Sequence, residues 1–451
     1  MRELFPTTSQ HRVGDVDITL HGASHSVTGS MTRVEFDGKA LLIDCGLGQG
    51  LEASRFRVPD DAHKVDAILF THGHNDHVGS LPTLIERGYV GPILGTRATL
   101  AIAQIVLADG LRLQRVPRRD AERLMQEFDR LAVPVAYDAL ADHIPNVAAR
   151  FAYREAGHIL GSASIELVAK DKRMIFSGDL GRPDSPLLRT YFQAWSRNSN
   201  VDFVLMESTY GDECHAQSHD DVQRELERVL QRAMQLRGHI LVPAFAIGRT
   251  QTLLYHLNAL VESGRVQHLP VAIDTPMGLA VTETYDGFRS LFDREATDRI
   301  SRGDDPLQFD DLYAVNKSSD SLRLRDHAGP MLVIAGNGMC TGGRIVGHLQ
   351  ELLPVESTCV LFVGFQAPGT TGRAIQAAAG KHQAHVRVGG QEVAMRAHIE
   401  TLPGLSAHAD RDELTAWLDA VPGSPRVGLH HGEPDAQRSF AQFYGSRPAP
   451  P

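Results

Sequence analysis

Cysteine is scarce in this chain. Its 451 residues include four, Cys45, Cys214, Cys340 and Cys359, and no two of them form a CxxC pair. That excludes a disulfide scaffold and a cysteine-type zinc site, and it predicts a reduced, cytoplasmic setting. Long apolar runs are also missing: nothing approaches the roughly 18 residues of a spanning helix. The N-terminus, MRELFPTTSQHRVGDVD, lacks the apolar stretch of a secretory signal. Nor is there an excess of positive charge. Lys plus Arg number 45 against 55 Asp plus Glu, a net −10 at pH 7. A polybasic, histone-like binder is thereby excluded, and affinity for a polyanion cannot come from bulk charge. With 42% hydrophobic and 22% charged residues the chain is not disordered either. What it has in quantity is histidine, 22 residues of a type that most often carries metals or protons.

The length is enough for two to three domains. Residues 16 to 44, read through VDITLHGA, MTRVEFDG and KALLIDCG, alternate in polarity across a Gly-bounded turn and predict a strand meander. VDAILFT is a short buried strand that stops abruptly at HGHNDH. LPTLIERGY predicts a helix closed by Gly88, GPILGT a strand, and residues 97 to 132 one helical stretch. Residues 164 to 169 and 173 to 177 predict two more strands. From about residue 211 the pattern changes. DDVQRELERVLQRAMQLRG carries Val222, Leu226, Val229, Leu230 and Met234 at helical spacing, and short apolar strands then alternate with helices. Such alternation predicts a parallel sheet. The expected division is residues 1–210, an inserted domain over 211–382, and a return to the first domain over 383–451. The class is α/β.

The sharpest chemical signal is His72-Gly73-His74-Asn75-Asp76-His77. Three imidazoles and a carboxylate in six residues suit Zn²⁺, which accepts His nitrogen and carboxylate oxygen. At a strand-to-helix turn, His72 and His74 can face one point while Asp76 and His77 face a second. Four ligands from one loop cannot close two metal sites, so others must come from further strand ends. His158 in AGHILGSAS, Asp179 in FSGDLGR and His431 in GLHHGE share a Gly-flanked position beside an apolar strand. A lone His is usually structural; the shared context distinguishes these.

LLIDCG, THGHNDHVG, AGHILGSAS and FSGDLGR resemble the ordered motifs of the metallo-β-lactamase superfamily. MEST with Glu207, PAFAIGRTQ, GNGMCTGGR, LSAHAD and LHHGE are similar to those of its β-CASP nuclease family, above all to bacterial and archaeal relatives of the mRNA 3′-end cleavage endonuclease subunit. The likeness runs in order along nearly the whole chain. It implies a four-layer αβ/βα metallo-β-lactamase fold built from both ends of the chain, with an inserted parallel-sheet β-CASP domain. It assigns His72, His74 and His158 to one Zn²⁺, Asp76, His77 and His431 to a second, and Asp179 to both. The ligand directly before Gly-Glu is His431 rather than its neighbour His430. Asp44 is expected to orient a ligand imidazole from behind.

The resemblance further implies phosphodiester hydrolysis of single-stranded RNA by a di-zinc-activated hydroxide. The activity is expected to be endonucleolytic, with a 5′–3′ exonuclease mode as a further expectation. His408 in SAHAD is the implied general acid and Glu207 its partner, an arrangement suited to an imidazole that titrates near neutrality. GNGMCTGGR and FQAPGTTGR follow apolar strands and open toward helices, where backbone N–H groups bind anions; Gly338, Arg344 and Ser406 are the expected phosphate contacts. Neither loop is a Walker A motif. Asn337 stands where relatives commonly carry Ser, and His25 where they are often acidic, which bears on substrate detail. No KH-like GXXG module precedes the metal motifs, so the N-terminal extension of archaeal relatives is not expected. A β-CASP nuclease acting on DNA and a non-catalytic RNA-processing subunit are the alternatives. His at positions 408 and 431 favours RNA, and a full ligand set disfavours the second. The partner is RNA, with no membrane, and the oligomeric state, a homodimer included, stays open.

Overall fold

Along the strand Val16–Gly22, Val16, Ile18 and Leu20 are buried while Asp17 points to solvent, the period-two split of a sheet with one covered face. The computed structural model in which this is seen describes residues 2–50, 55–140, 144–215, 217–266, 269–364, 366–367 and 369–447. Phe365 and Pro368 of the FQAPGTTGR loop, and the Pro-rich residues 448–451, lie outside the described residues. The chain divides into two units: Met1–Pro183, Leu188–Cys214 and His408–Pro451 form the first, and Asp184–Leu187 with His215–Ala407 the second.

Among the described residues, the first unit holds two sheets. One runs, in spatial order, Gln10–Val13, Val16–Gly22, Met31–Phe36, Lys39–Ile43, Ala67–Leu69, Ile93–Thr96, Ala132–Val135. The other runs Leu4–Phe5, Arg426–His430, Phe203–Glu207, Lys172–Phe176, Ala163–Ala169, Ala149–Glu155. Their facing sides close one core, in which Ile18, Leu41, Ile43 and Leu69 meet Phe151, Ile165, Phe176, Phe203 and Leu205. The alternate residues Val204, Met206, Val427 and Leu429 turn outward onto Leu414, Trp417, Leu418 and Phe440 of the helices Arg411–Ala420 and Pro434–Gly445. The helix Arg97–Leu113 covers the opposite sheet at Ile93–Thr96 and Ala132–Val135. Helix, sheet, sheet, helix is the four-layer arrangement that the family resemblance implies. The helical stretch expected over 97–132 is in fact two helices, because Pro117 cannot continue the first and instead precedes Arg118–Leu131.

Parallel pairing positions the chemistry. Lys172–Phe176, Phe203–Glu207 and Arg426–His430 run side by side in one direction, with Glu207 paired to His430. Lys39–Ile43 likewise runs parallel to Ala67–Leu69, with Ile43 paired to Leu69. The loops carrying Asp44, His72, Asp179, Glu207 and His431 therefore all leave from strand ends.

The second unit has a parallel sheet in the order Leu312–Ala314, Val271–Asp274, Met331–Ala335, His239–Pro243, Cys359–Phe362, His398–Thr401 among the described residues. Its first helix, His219–Leu236, starts from a capping box of Ser218 and Asp221. Here the structure departs from the expected boundary at residue 383. His398–Thr401 extends this sheet beside Cys359–Phe362, and Val386, Val388 and Val393 enter its core with Ile345 and Ile375. The chain re-enters the first unit only at His408. Apolar alternation identifies 385–401 as strands but carries no information about which sheet they join.

His11 is buried against the rings of Phe203 and Phe5. Burial, reinforced by the Arg426 guanidinium, lowers its pKa from 6.5 to about 4. The unfolded chain takes up a proton across that window and the folded chain does not. The stability contributed by neutral His11 is thus complete above the unfolded pKa and is lost as pH falls toward the folded one. His11→Leu cannot titrate. In denaturant titrations with chelator present, its midpoint should gain on that of the wild type as pH falls through this window. A pH-independent difference would contradict this.

Candidate metal centre

The HGHNDH segment folds as its spacing requires. His72 leaves the strand end, His74 is extended (φ −69°, ψ 150°), and the single-turn helix Asn75–Val78 then swings Asp76 and His77 to a second direction. The turn is clamped from behind. Ser30 N–H donates to the Asp76 carbonyl and Cys45 N–H to the His77 carbonyl, each at 2.8 Å. A Cβ on Gly46 would overlap the Asp76 carbonyl, so the LLIDCG loop can lie against the turn only with glycine there. Two other site residues hold left-handed backbone without being glycine, Asp44 (φ 61°) and His431 (φ 48°). Each such conformation costs on the order of 1 kcal/mol or more and persists where surrounding bonds impose it. Here those are Asp44 N–H to Leu69 O at 2.9 Å and His431 N–H to Ala23 O at 2.7 Å.

The side chains gather in two sets. His72 Nε2 lies 3.0 Å from His74 Nδ1, and His158 Nε2 lies 3.2 Å from the same atom. Asp179 Oδ2 is 3.5 Å from His72 Nε2 and 3.6 Å from His158 Nε2. On the other side, His77 Nε2 lies 3.3 Å from His431 Nε2, which is 3.5 Å from Asp76 Oδ2. Asp179 Oδ1 faces this second set, 3.4 Å from His77 Nε2 and 3.4 Å from His431 Nδ1. His72, His74, His158 and Asp179 offer ligand atoms within 4.8 Å of one another, as do Asp76, His77 and His431, and Asp179 Oδ1 stands 3.4 Å from two rings of the second group.

This donor set fits divalent cations. Burial drives the His72 pKa well below 6.5 and that of His74 to about 4, which leaves neutral rings with lone pairs to give. Neutral rings aimed at one point offer lone pairs that a divalent cation can accept. Burial opposes charge on Asp179, yet His431, His77 and His72 hold its carboxyl well below the usual range. Asp179 is thus a buried anion, and its Oδ1 has no hydrogen-bond partner among the described residues. For His77, burial is outweighed by the Asp179 and Asp44 carboxylates, which raise its pKa. An unpaired buried carboxylate ringed by nitrogen donors is the chemistry of a metal site.

Beside the cluster, His408 Nδ1 sits 3.2 Å and 3.3 Å from the two oxygens of fully buried Glu207. Glu207 is itself fixed by the Leu180 N–H at 2.6 Å and the Thr209 N–H at 3.3 Å. The His408 ring lies 4.4 Å from that of His158, centre to centre.

Sequence models place this arrangement. The metallo-beta-lactamase superfamily matches residues 27–244, the Beta-Casp domain residues 250–375, and the Zn-dependent metallo-hydrolase RNA specificity domain residues 392–443. "Ribonuclease TTHA0252" of Thermus thermophilus is 36% identical over 95% of this chain and 96% of its own length. The chain belongs to the β-CASP family of the metallo-β-lactamase superfamily. "Transcription termination factor FttA" of Methanocaldococcus jannaschii is 27% identical over 94% of this chain, which spans 68% of that protein. A crystal structure of a protein of unknown function from Enterococcus faecalis V583 shares the fold, with TM-score 0.53 and 12% identity, covering 93% of this chain and 95% of that one. As a β-CASP family member the chain is a hydrolase of the nuclease type that binds divalent metal. No helix among its described residues is long and apolar enough to cross a membrane.

Of the residues singled out from sequence, the nine around the cluster and the acid pair, His72, His74, Asp76, His77, His158, Asp179, Glu207, His408 and His431, all stand in the first unit. Asp44 stands behind His77, its Oδ2 2.8 Å from Nδ1. His430, the rival of His431, is buried elsewhere; neither of its nitrogens has a partner among the described residues, and burial followed by the charge of His431 lowers its pKa to about 3. Gly338, Arg344 and Ser406 belong to the second unit. The Arg344 guanidinium donates to Asp274 Oδ1 (2.7 Å), Val315 O (2.8 Å) and Asn316 O (2.7 Å), so much of its fork is committed internally. His25 is exposed, its Nδ1 2.8 Å from Ser24 Oγ. Missed from sequence are hydroxyls that brace the histidine loops of the first unit. Thr71 lies behind His72, Thr209 Oγ1 is 3.2 Å from His431 Nδ1, and Ser162 Oγ accepts from the His158 N–H at 3.0 Å. Each lies within a motif quoted above, THGHNDHVG, MEST or AGHILGSAS, but nothing in the spacing marks it out.

The adjacent pair gives a clean test. His431→Ala should lose divalent metal by elemental analysis, and His430→Leu should keep the wild-type content. The reverse pattern would move the ligand to His430.

Proposed function

We propose that the chain is a zinc-dependent ribonuclease that hydrolyses phosphodiester bonds of single-stranded RNA, as an endonuclease and with a 5′–3′ exonuclease mode. The observation that carries this reading is the His408–Glu207 pair standing directly beside two nitrogen and oxygen clusters, both of which Asp179 faces. The relative named a ribonuclease, and the RNA specificity domain matched over residues 392–443, support RNA over DNA. Zn²⁺ is the ion most at home among three-His and His-His-Asp donors. Four free cysteines support a reducing, cytoplasmic setting.

In this reading His72, His74 and His158 hold one ion, Asp76, His77 and His431 the other, and Asp179 both. Bound there, two zinc ions would supply Lewis acidity toward a phosphoryl oxygen and a water acidified to near neutrality. Glu207 holds His408 by Nδ1, which turns Nε2 away from Glu207 and makes it the atom that delivers a proton to the leaving oxygen. The backbone at Gly338, Ser406 and Arg344 are the phosphate contacts. Arg344 is the weakest of these, since three of its N–H bonds are already spent.

Cleavage of a single-stranded RNA oligomer, with its DNA counterpart in parallel, tests this. His408→Ala should lower kcat by about 10²–10⁴-fold, the usual worth of general acid–base help, while metal content stays unchanged. Chelation should abolish turnover and Zn²⁺ restore it. Preference for DNA would overturn the RNA assignment, and equal rates for His408→Ala and wild type would overturn the role of His408.

A further inference from the structure

We infer that the Thr71 hydroxyl is a positioning group that ties both halves of the metal centre to a single carboxylate, Asp44. The inference rests on reading the cluster as a metal centre. Thr71 Oγ1 donates to Asp44 Oδ2 at 2.8 Å, and the Thr71 N–H donates to Asp44 Oδ1 at 2.8 Å. The same Oδ2 receives His77 Nδ1, also at 2.8 Å. Thr71 Oγ1, its proton already given to Asp44, is left as an acceptor 3.1 Å from His72 Nδ1 and 3.5 Å from His77 Nδ1.

The proton count follows from donor chemistry. A carboxylate that accepts from Thr71 has only acceptor capacity left for His77, so His77 must carry its proton on Nδ1. A hydroxyl that donates to Asp44 can only accept from His72, so His72 carries its proton on Nδ1 as well. Both rings are thereby fixed with Nε2 directed at Asp179, His72 toward Oδ2 and His77 toward Oδ1. One belongs to each ligand set. Asp44 touches only one of the two rings directly; the hydroxyl extends its hold to the other.

The hydroxyl has little freedom to turn elsewhere. Asp44, Thr71, His72 and His77 are all buried. The Thr71 carbonyl is taken by the Ala163 N–H at 2.8 Å. Its side chain lies against Gly178, where an added Cβ would press on both Cβ and Oγ1 of Thr71, and Gly178 immediately precedes Asp179. Thr209 makes the informative contrast. Its Oγ1 contacts His431 Nδ1 at 3.2 Å and the His431 carbonyl at 3.0 Å, so it serves one ring of one set.

Thr71→Val keeps the shape and removes the hydroxyl, and Thr71→Ala is a second variant should valine pack poorly. Calorimetric titration of metal-free protein with Zn²⁺ gives the affinity of each site, and NMR of the imidazole Nδ1 protons gives the tautomers. Thr71→Val should weaken both ions by about 10–100-fold, the usual penalty for losing such a support. It should also remove the protected Nδ1 proton signal of His72. Thr71→Ser should restore both readouts, and Thr209→Val should weaken one ion only. Wild-type affinity at both sites in Thr71→Val or Thr71→Ala, weakening confined to one site, or failure of Thr71→Ser to rescue a folded protein would each overturn the inference. A wild-type chain that binds no Zn²⁺ would instead overturn the metal reading beneath it.

Discussion

The Asp179 carboxylate is the group around which the first unit is arranged. It is almost fully buried, and each of its oxygens faces imidazole nitrogens brought from different loops. A buried anion is costly unless compensated, and here imidazole nitrogens stand 3.4–3.6 Å away, burial disfavouring charge on His72 while the Asp179 and Asp44 carboxylates favour it on His77. Divalent cations resolve that conflict. The fold makes the convergence possible because parallel strands release their loops at the same edge, so residues far apart in sequence, Asp44, His77, Asp179 and His431, arrive together. The close approaches at Gly46 and the left-handed backbone at Asp44 and His431 are the local costs of bringing those loops within reach.

A net charge of −10 is compatible with this chemistry. Cations held in a buried cluster set the local field where a phosphodiester would react, whatever the total charge. The supports behind the cluster matter for the same reason: Asp44, Thr71 and Thr209 fix which nitrogen of each ring points inward, and Glu207 does so for His408. A ring free to rotate would lose both aim and tautomer.

Much of the centre is legible in the sequence because its ligands are concentrated and punctuated by glycine. HGHNDH announces itself, and His158, Asp179 and His431 share one context at the edges of strands. The pair His430 and His431 is separable only by family pattern in sequence and by position in space. The hydroxyls of Thr71, Thr209 and Ser162 were invisible, since their role depends on a bond direction that no spacing encodes. The fold class, the meander and the parallel sheet follow from periodicity. The re-entry point at His408 does not: the strands over 385–401 look alike whichever sheet they join, and only pairing with Cys359–Phe362 decides it. Arg344 shows what periodicity leaves out. Its place after a glycine-rich loop suggests an anion, whereas the buried Asp274 carboxylate already holds its guanidinium.

The function proposed above requires Asp179 to join two metal ions in one buried centre. Anomalous diffraction at the zinc absorption edge, from crystals of the full chain grown with Zn²⁺, tests it most directly. Two peaks should flank the Asp179 carboxylate, one among His72, His74 and His158 and one among Asp76, His77 and His431. A single peak, or peaks whose ligands exclude Asp179, would contradict it.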